Sequence, residues 1–135
     1  MLAGDLIRHQ KRLRPNAVAM TYAGKEYTFA QLVERSNRAG NALHDLGIRK
    51  GERVAILSQN CNQYIELYFA IGKIGAVTVP LNYRLTAAEL EYIINNSEAV
   101  ALIVADDFVS AIAQIRHLLP NIRHSICIGG SHQGY

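Results

Sequence analysis

Within residues 53–98, two short apolar runs at 54–57 and 76–79 bracket a helical segment, and a second helical pattern follows the VPLNYRLTAAEL stretch. Neither run alternates apolar with polar side chains, which is how strands covered on both faces read. A third run of the same kind occupies 100–104. The resulting β-α-β-α order predicts a parallel sheet with right-handed crossover helices, so an α/β fold with helices on both faces of a mainly parallel sheet. The three runs are expected to lie as parallel neighbours.

The chain has 135 residues, half of them apolar and 19% charged. That is enough for one domain with a real core and too mixed for disorder. No repeat, low-complexity tract or linker interrupts it, so residues 1–135 are read as a single α/β domain. The longest apolar run, 99–105, falls far short of the roughly 20 residues that span a bilayer. Asp5 and the basic residues at 8–14 occupy the positions where a signal peptide places its apolar centre, which points to a cytoplasmic location. Cys61 and Cys127 form no CxxC pair, suggest neither a zinc site nor a redox motif, and are read as small core or edge residues. Arg8, His9, Lys11, Arg12 and Arg14 concentrate positive charge near the start, but no RNA-binding aromatic motif or zinc finger accompanies them. The cluster is read as the solvated face of a helix that buries Leu6, Ile7 and Leu13, with no nucleic-acid partner.

In chain order, residues 4–14 predict an amphipathic helix ended by Pro15. Residues 18–22 and 26–28 predict a hairpin across Gly24 and Lys25, with Tyr22 and Tyr27 on its strands. Thr28 and Gln31 form a capping box, so a helix starts there; Phe29, Leu32, Val33, Ala39, Gly40, Leu43 and Leu46 give its apolar stripe, and Gly47 ends it with Ile48 covering Leu43. After the strand at 53–57 comes a helix over 61–74, apolar except for a stripe of Gln63, Glu66 and Lys73, and so largely buried. Gly72 and Gly75 bracket its end, and Pro80 is expected to stop the strand at 76–79. Thr86 and Glu89 form a second capping box, with Leu85 and Leu90 as a hydrophobic staple, opening a helix over 87–95 that buries Leu90, Ile93 and Ile94. A strand at 100–104, a helix over 106–119 ended by Pro120, a strand at 124–128 and a terminal loop complete the reading.

Candidate chemistry is sparse. A phosphate site needs glycine-rich backbone converging at a helix start, usually with a lysine. The segment 72–75, GKIG, sits at a helix end, where the dipole is negative, and the segment 129–131, GGS, follows a strand without a completing Lys or Thr. Asp106 and Asp107 open a helix and there complement its dipole. His44 sits near a helix C-terminus, where a cation is favourable, while His117 and His124 lack the i, i+4 spacing of a helical metal site. Tyr64, Tyr68 and Phe69 are read as core rather than as an acyl or aryl pocket. Arg84 beside Asn82 is read as a guanidinium that braces the turn through backbone carbonyls rather than as a carboxylate or phosphate ligand.

The segments YTFAQL at 27–32, GERVAILSQN at 51–60 and AIGKIGAVTVPLNYRLTAAELEYIINNSEA at 70–99 resemble the N-terminal part of the adenylate-forming acyl-CoA synthetases, the AMP-binding enzymes that include fatty-acid and aryl-CoA ligases. The resemblance runs from about Leu6 to Ile128. It implies a parent enzyme in which a carboxylic acid attacks ATP, with Mg²⁺, to give an acyl-adenylate and pyrophosphate, after which CoA takes the acyl group. It also implies that the phosphate loop, metal carboxylate, ribose-binding acid and mobile lysine of that chemistry lie downstream. Thr28, Gly47, Gly51, Gly75, Pro80, Leu81, Asn82 and Arg84 match as framework, and no catalytic, cofactor-binding or metal-binding residue is transferred. The 135 residues are therefore expected to be an inactive N-terminal fragment whose partner is the remainder of its own chain, with homo-oligomer formation open. A stand-alone α/β ligand-binding module and a structural or assembly module are the alternatives.

Overall fold

The computed structural model describes residues 3–135, which fall into two compact units: residues 3–50 with 60–76, and residues 51–59 with 77–135.

The first unit holds α1 (Ala3–Leu13), the antiparallel hairpin β1 (Val18–Tyr22) and β2 (Lys25–Thr28), α2 (Phe29–Asp45) and α3 (Asn62–Lys73). Tyr22 pairs with Lys25, so the turn residues are Ala23 and Gly24, one position earlier than expected. Both have positive φ, 50° and 76°, the signature of a type I′ turn, whose twist matches that of the strands it joins. The Thr28 capping box is present in both directions, with Gln31 Oε1 accepting from the Thr28 amide at 2.9 Å and Thr28 Oγ1 from the Gln31 amide at 3.2 Å. At the other end of α2, the Gly47 amide donates to the His44 carbonyl and the Ile48 amide to that of Leu43, a Schellman motif that buries Ile48 over Leu43. Gly75 closes α3 in the same way, through amides of Gly75 and Ala76 donating to Gly72 and Ile71.

Ile7, Leu32 and Val33 form a small core in this unit with Phe69 against it. Leu6, Leu13 and Leu46, expected inside, are exposed: α1 is anchored by Ile7, and Leu46 sits at the helix cap where the chain has left the buried face. On α3 the expected polar stripe is wrong at Glu66, which is buried and ion-paired, while Tyr68 and Ile65 are exposed.

The second unit is built on a four-stranded, wholly parallel sheet of order β4-β3-β5-β6, formed by β3 (Arg53–Leu57), β4 (Val77–Leu81), β5 (Ala101–Ala105) and β6 (His124–Ile128). The unalternating runs are thus parallel neighbours. Val54, Ile56, Ala101 and Ile103 on one face and Ala55, Leu57, Leu102 and Val104 on the other are all withdrawn from solvent. The second set packs with Leu90 and Ile94 of α4 (Ala87–Asn96) and with Ile112 and Ile115 of α5 (Val109–Ile115). Pro80 does not end β4, which runs on to Leu81. β4 is an edge strand, where a residue without an amide proton is tolerated. The helix expected over 106–119 is broken into a 3₁₀ turn (Asp106–Phe108), α5 and a second 3₁₀ turn (Arg116–Leu118), so Asp106 opens a tight turn rather than an α-helix.

Candidate functional site

In an open parallel sheet, ligands sit beyond the carboxyl ends of the strands, where the strand order reverses. Here the chain leaves β3 toward β4 on one side and leaves β5 toward β6 on the other, so the reversal lies between β3 and β5. Leu57 and Val104 are paired there, and Ser58 and Asp106 follow just beyond them. Ser58 is buried and its hydroxyl donates to the Gln59 carbonyl at 2.7 Å. Along the same edge, Asn82, Tyr83 and Arg84 follow β4, and Gly129, Gly130 and Ser131 follow β6.

The Asn82 to Arg84 turn is braced differently from the sequence expectation. Asn82 Oδ1 accepts from the Arg84 amide at 3.0 Å, an Asx turn, while the Arg84 guanidinium lies over the Tyr83 ring at 5.7 Å and is exposed. Tyr83 in turn meets Phe108, with centroids 5.8 Å apart, which ties this turn to the segment opened by Asp106.

Asp106 is placed against residues far from it in sequence. Its carboxylate meets His132 Nε2 at 2.5 Å, and Cys127 Sγ completes a group whose ligand atoms all lie within 4.8 Å of one another. A Cβ on Gly130 would collide with the Asp106 carboxyl, so glycine is what lets the loop come this near. The same proximity argues against an anion on the 129–131 loop, since phosphate would meet a carboxylate. The residues present therefore do not fit the triphosphate of ATP, and Mg²⁺, which takes oxygen ligands, is a poor match for a thiol and an imidazole.

The other sequence candidates are structural. Lys73 donates to Asn37 Oδ1 at 2.7 Å and to the Val33 carbonyl at 3.4 Å, and burial, with Arg8 and Lys11 nearby, lowers its pKa. His44 is exposed at the end of α2, where its carbonyl accepts from Arg49 at 2.7 Å. His117 is exposed in the second 3₁₀ turn and His124 opens β6. Tyr64 and Tyr68 stack at 6.3 Å, and burial raises the Tyr64 phenol's pKa, whereas only Phe69 of the three aromatics joins a core. The Asp106, Cys127 and His132 grouping was invisible to spacing, because the three residues come from a 3₁₀ turn, a strand and a loop.

No helix among the described residues is long and apolar enough to cross a membrane. Comparison with known proteins is consistent throughout. The chain is 36% identical over 124 residues to 3-oxocholest-4-en-26-oate–CoA ligase of Rhodococcus rhodochrous, covering 92% of this chain and 22% of that protein. It is 38% identical over 106 residues to crotonobetaine/carnitine–CoA ligase of Salmonella paratyphi A, covering 78% and 20%. Among solved structures, the anthranilate CoA ligase AuaEII in complex with anthranoyl-AMP matches all of this chain and 26% of its own with a TM-score of 0.96 at 36% identity. The N-terminal domain of FACL13 from Mycobacterium tuberculosis matches 94% of this chain and 34% of its own, with a TM-score of 0.90 at 30% identity. The chain thus spans about a fifth of the curated relatives it matches. A family model described as AMP-binding enzyme matches residues 7–132, and the chain belongs to that family.

Proposed function

We propose that these residues serve as the N-terminal part of an ATP-dependent acid–CoA ligase that activates a carboxylic acid through an acyl-adenylate. The observation that carries the reading is the match of the whole chain, at a TM-score of 0.96, to a CoA ligase bound to its acyl-adenylate. The curated relatives, CoA ligases for a sterol-derived acid and for crotonobetaine or carnitine, support the same reaction class and differ in the acid. On this reading ATP, Mg²⁺ and CoA are bound by residues downstream of Tyr135, the partner of this segment is the rest of the same polypeptide, and the 135 residues alone are inactive. The role of the segment is then to supply buried parallel strands and well-capped helices on which the remainder is built.

The test is ATP–pyrophosphate exchange and CoA-thioester formation, with aryl, fatty and sterol side-chain acids. The polypeptide encoded by the whole open reading frame is compared with residues 1–135. Exchange by the former and none by the latter is the expected result. Exchange by residues 1–135 alone would move catalysis into this segment, and failure of the longer polypeptide with every acid and with CoA would remove the ligase reading.

A further inference from the structure

The described residues that could ligate a metal as a group are Asp106, Cys127 and His132, all in the second unit. They offer one carboxylate, one thiol and one imidazole, and they are brought together by the register of the sheet. Cys127 is paired with Val104, two residues before Asp106, and the chain passes Gly129 and Gly130 before returning His132 to the Asp106 carboxylate.

We propose that these three side chains form a transition-metal site of the Zn²⁺ type, with three protein donors and a fourth position open to solvent. The donor set decides the class of ion. A thiolate and an imidazole select borderline to soft cations and are poor ligands for Mg²⁺ or Ca²⁺, whereas sulfur, nitrogen and oxygen together suit four-coordinate Zn²⁺ or Co²⁺. Distances agree. Metal–ligand bonds of about 2.0 to 2.3 Å at tetrahedral angles place donor atoms roughly 3.3 to 3.6 Å apart. The Asp106 and His132 atoms are 2.5 Å apart and no pair in the group exceeds 4.8 Å, so small side-chain adjustments reach that spacing. Binding replaces the Asp106–His132 hydrogen bond with two bonds to the ion.

The surroundings favour a loaded site. Asp106 and His132 are about half and two-fifths exposed, so an ion can enter, while Cys127 sits half-buried in β6 and fixes the base of the site. The absence of a side chain on Gly130 leaves room for the carboxyl. Beside His132 an open groove of about 790 Å³, lined by Arg116, His117, Gln133 and Tyr135, leaves that side of the imidazole open to solvent.

Titration of the whole chain with Co²⁺ tests the proposal, followed by displacement with Zn²⁺. One equivalent is expected to give the intense visible bands of a four-coordinate ion and a near-ultraviolet sulfur-to-cobalt charge-transfer band, both removed by Zn²⁺. Cys127→Ser should abolish the charge-transfer band. Asp106→Asn and His132→Gln should each weaken binding by at least about tenfold, the scale set by losing even an indirect support of a metal ligand. His9→Gln, on α1, should change nothing. His132 lies in an exposed loop, so its variant keeps the test valid even where Asp106→Asn disturbs folding. Binding that is weak and six-coordinate, or equally tight in Cys127→Ser and wild type, overturns the proposal.

Discussion

Arg35 Nε donates to Glu66 Oε1 at 2.6 Å, and the pair is lopsided: the Glu66 side chain is 8% exposed and that of Arg35 is 42% exposed. Asn62 Nδ2 donates to the same oxygen at 3.0 Å, and Arg35 also lies 5.7 Å from the Tyr27 ring centroid. The hydrogen bond to Glu66 raises the Arg35 pKa, opposed by burial. This network joins α2 to α3 and β2 inside the first unit.

Removing one partner leaves a buried carboxylate short of a cation, which costs more than the pair itself contributes. Arg35→Met should lower stability by about 2 to 3 kcal/mol, below the usual cost of breaking a buried pair because Arg35 is partly open and Asn62 remains. Glu66→Gln, which removes the charge but keeps an acceptor, should cost clearly less. Denaturant unfolding of both variants checks the order, and equal losses would show that the charge is not what matters.

Ser36 sits fully buried on α2, and its hydroxyl has no hydrogen-bond partner among the described residues. Alanine removes an unsatisfied polar group and is the better helix former. Ser36→Ala should therefore raise stability by about 1 kcal/mol, read as a higher denaturation midpoint at unchanged slope. A loss instead would mean that the hydroxyl is satisfied.

Two capping boxes of different chemistry provide an internal control on pH. In the second, the Thr86 amide and hydroxyl donate to Glu89 Oε2 at 2.8 and 2.9 Å, and these bonds hold the Glu89 carboxyl below its ordinary pKa. A depressed folded-state pKa gives stability that is present above the unfolded value, about 4.3 for glutamate, and is lost as pH falls through the folded value. The Thr28 box closes through Gln31, which does not titrate. Thr28→Ala should cost about 1 kcal/mol at any pH. Thr86→Ala should cost more at neutral pH than in acid, and Glu89→Gln should flatten that dependence. Parallel unfolding series at neutral pH and in acid check both.

The elements most legible in the sequence were those set by local chemistry. Both capping boxes, the Gly47 and Gly75 helix ends and the unalternating strand runs each declare themselves within a few residues, and each formed as read except β4, which is a sheet edge with Val77 exposed rather than a strand covered on both faces. What failed depended on partners far away in the chain. Glu66 reads as a solvated position until Arg35, 31 residues earlier, is seen to meet it. Pro80 reads as a strand end until β4 is known to be an edge. Leu6, Leu13 and Tyr68 fit an apolar stripe but are exposed. The Asp106, Cys127 and His132 group follows from the sheet register and a glycine turn, neither of which spacing can show.

The last prediction concerns the two edges of the sheet. β4 and β6 flank it, but they differ as templates for another strand. β4 carries Pro80, which cannot donate to an incoming strand, whereas β6, with the sequence HSICI, has neither proline nor lysine to discourage pairing. All five β6 residues are half-buried, and Ile126, Cys127 and Ile128 give the strand apolar side chains that reward cover. Two copies meeting edge to edge through β6 would form a closed, two-fold pair in which each strand satisfies the other. The 135-residue polypeptide is thus expected to self-associate through β6 and not through β4. Size-exclusion chromatography at several concentrations should show a growing dimer fraction. The Arg123 amide donates to the Val100 carbonyl and the Val77 amide to that of Glu52, so by alternation the free-edge amides are those of His124, Ile126 and Ile128 on β6 and Thr78 on β4. Amide hydrogen exchange should slow with concentration at Ile126 and Ile128 while staying constant at Thr78. A monomer at every concentration, with β6 exchange unchanged, would mean that this edge is protected within the chain. Protection at β4 instead would mean that Pro80 is no barrier.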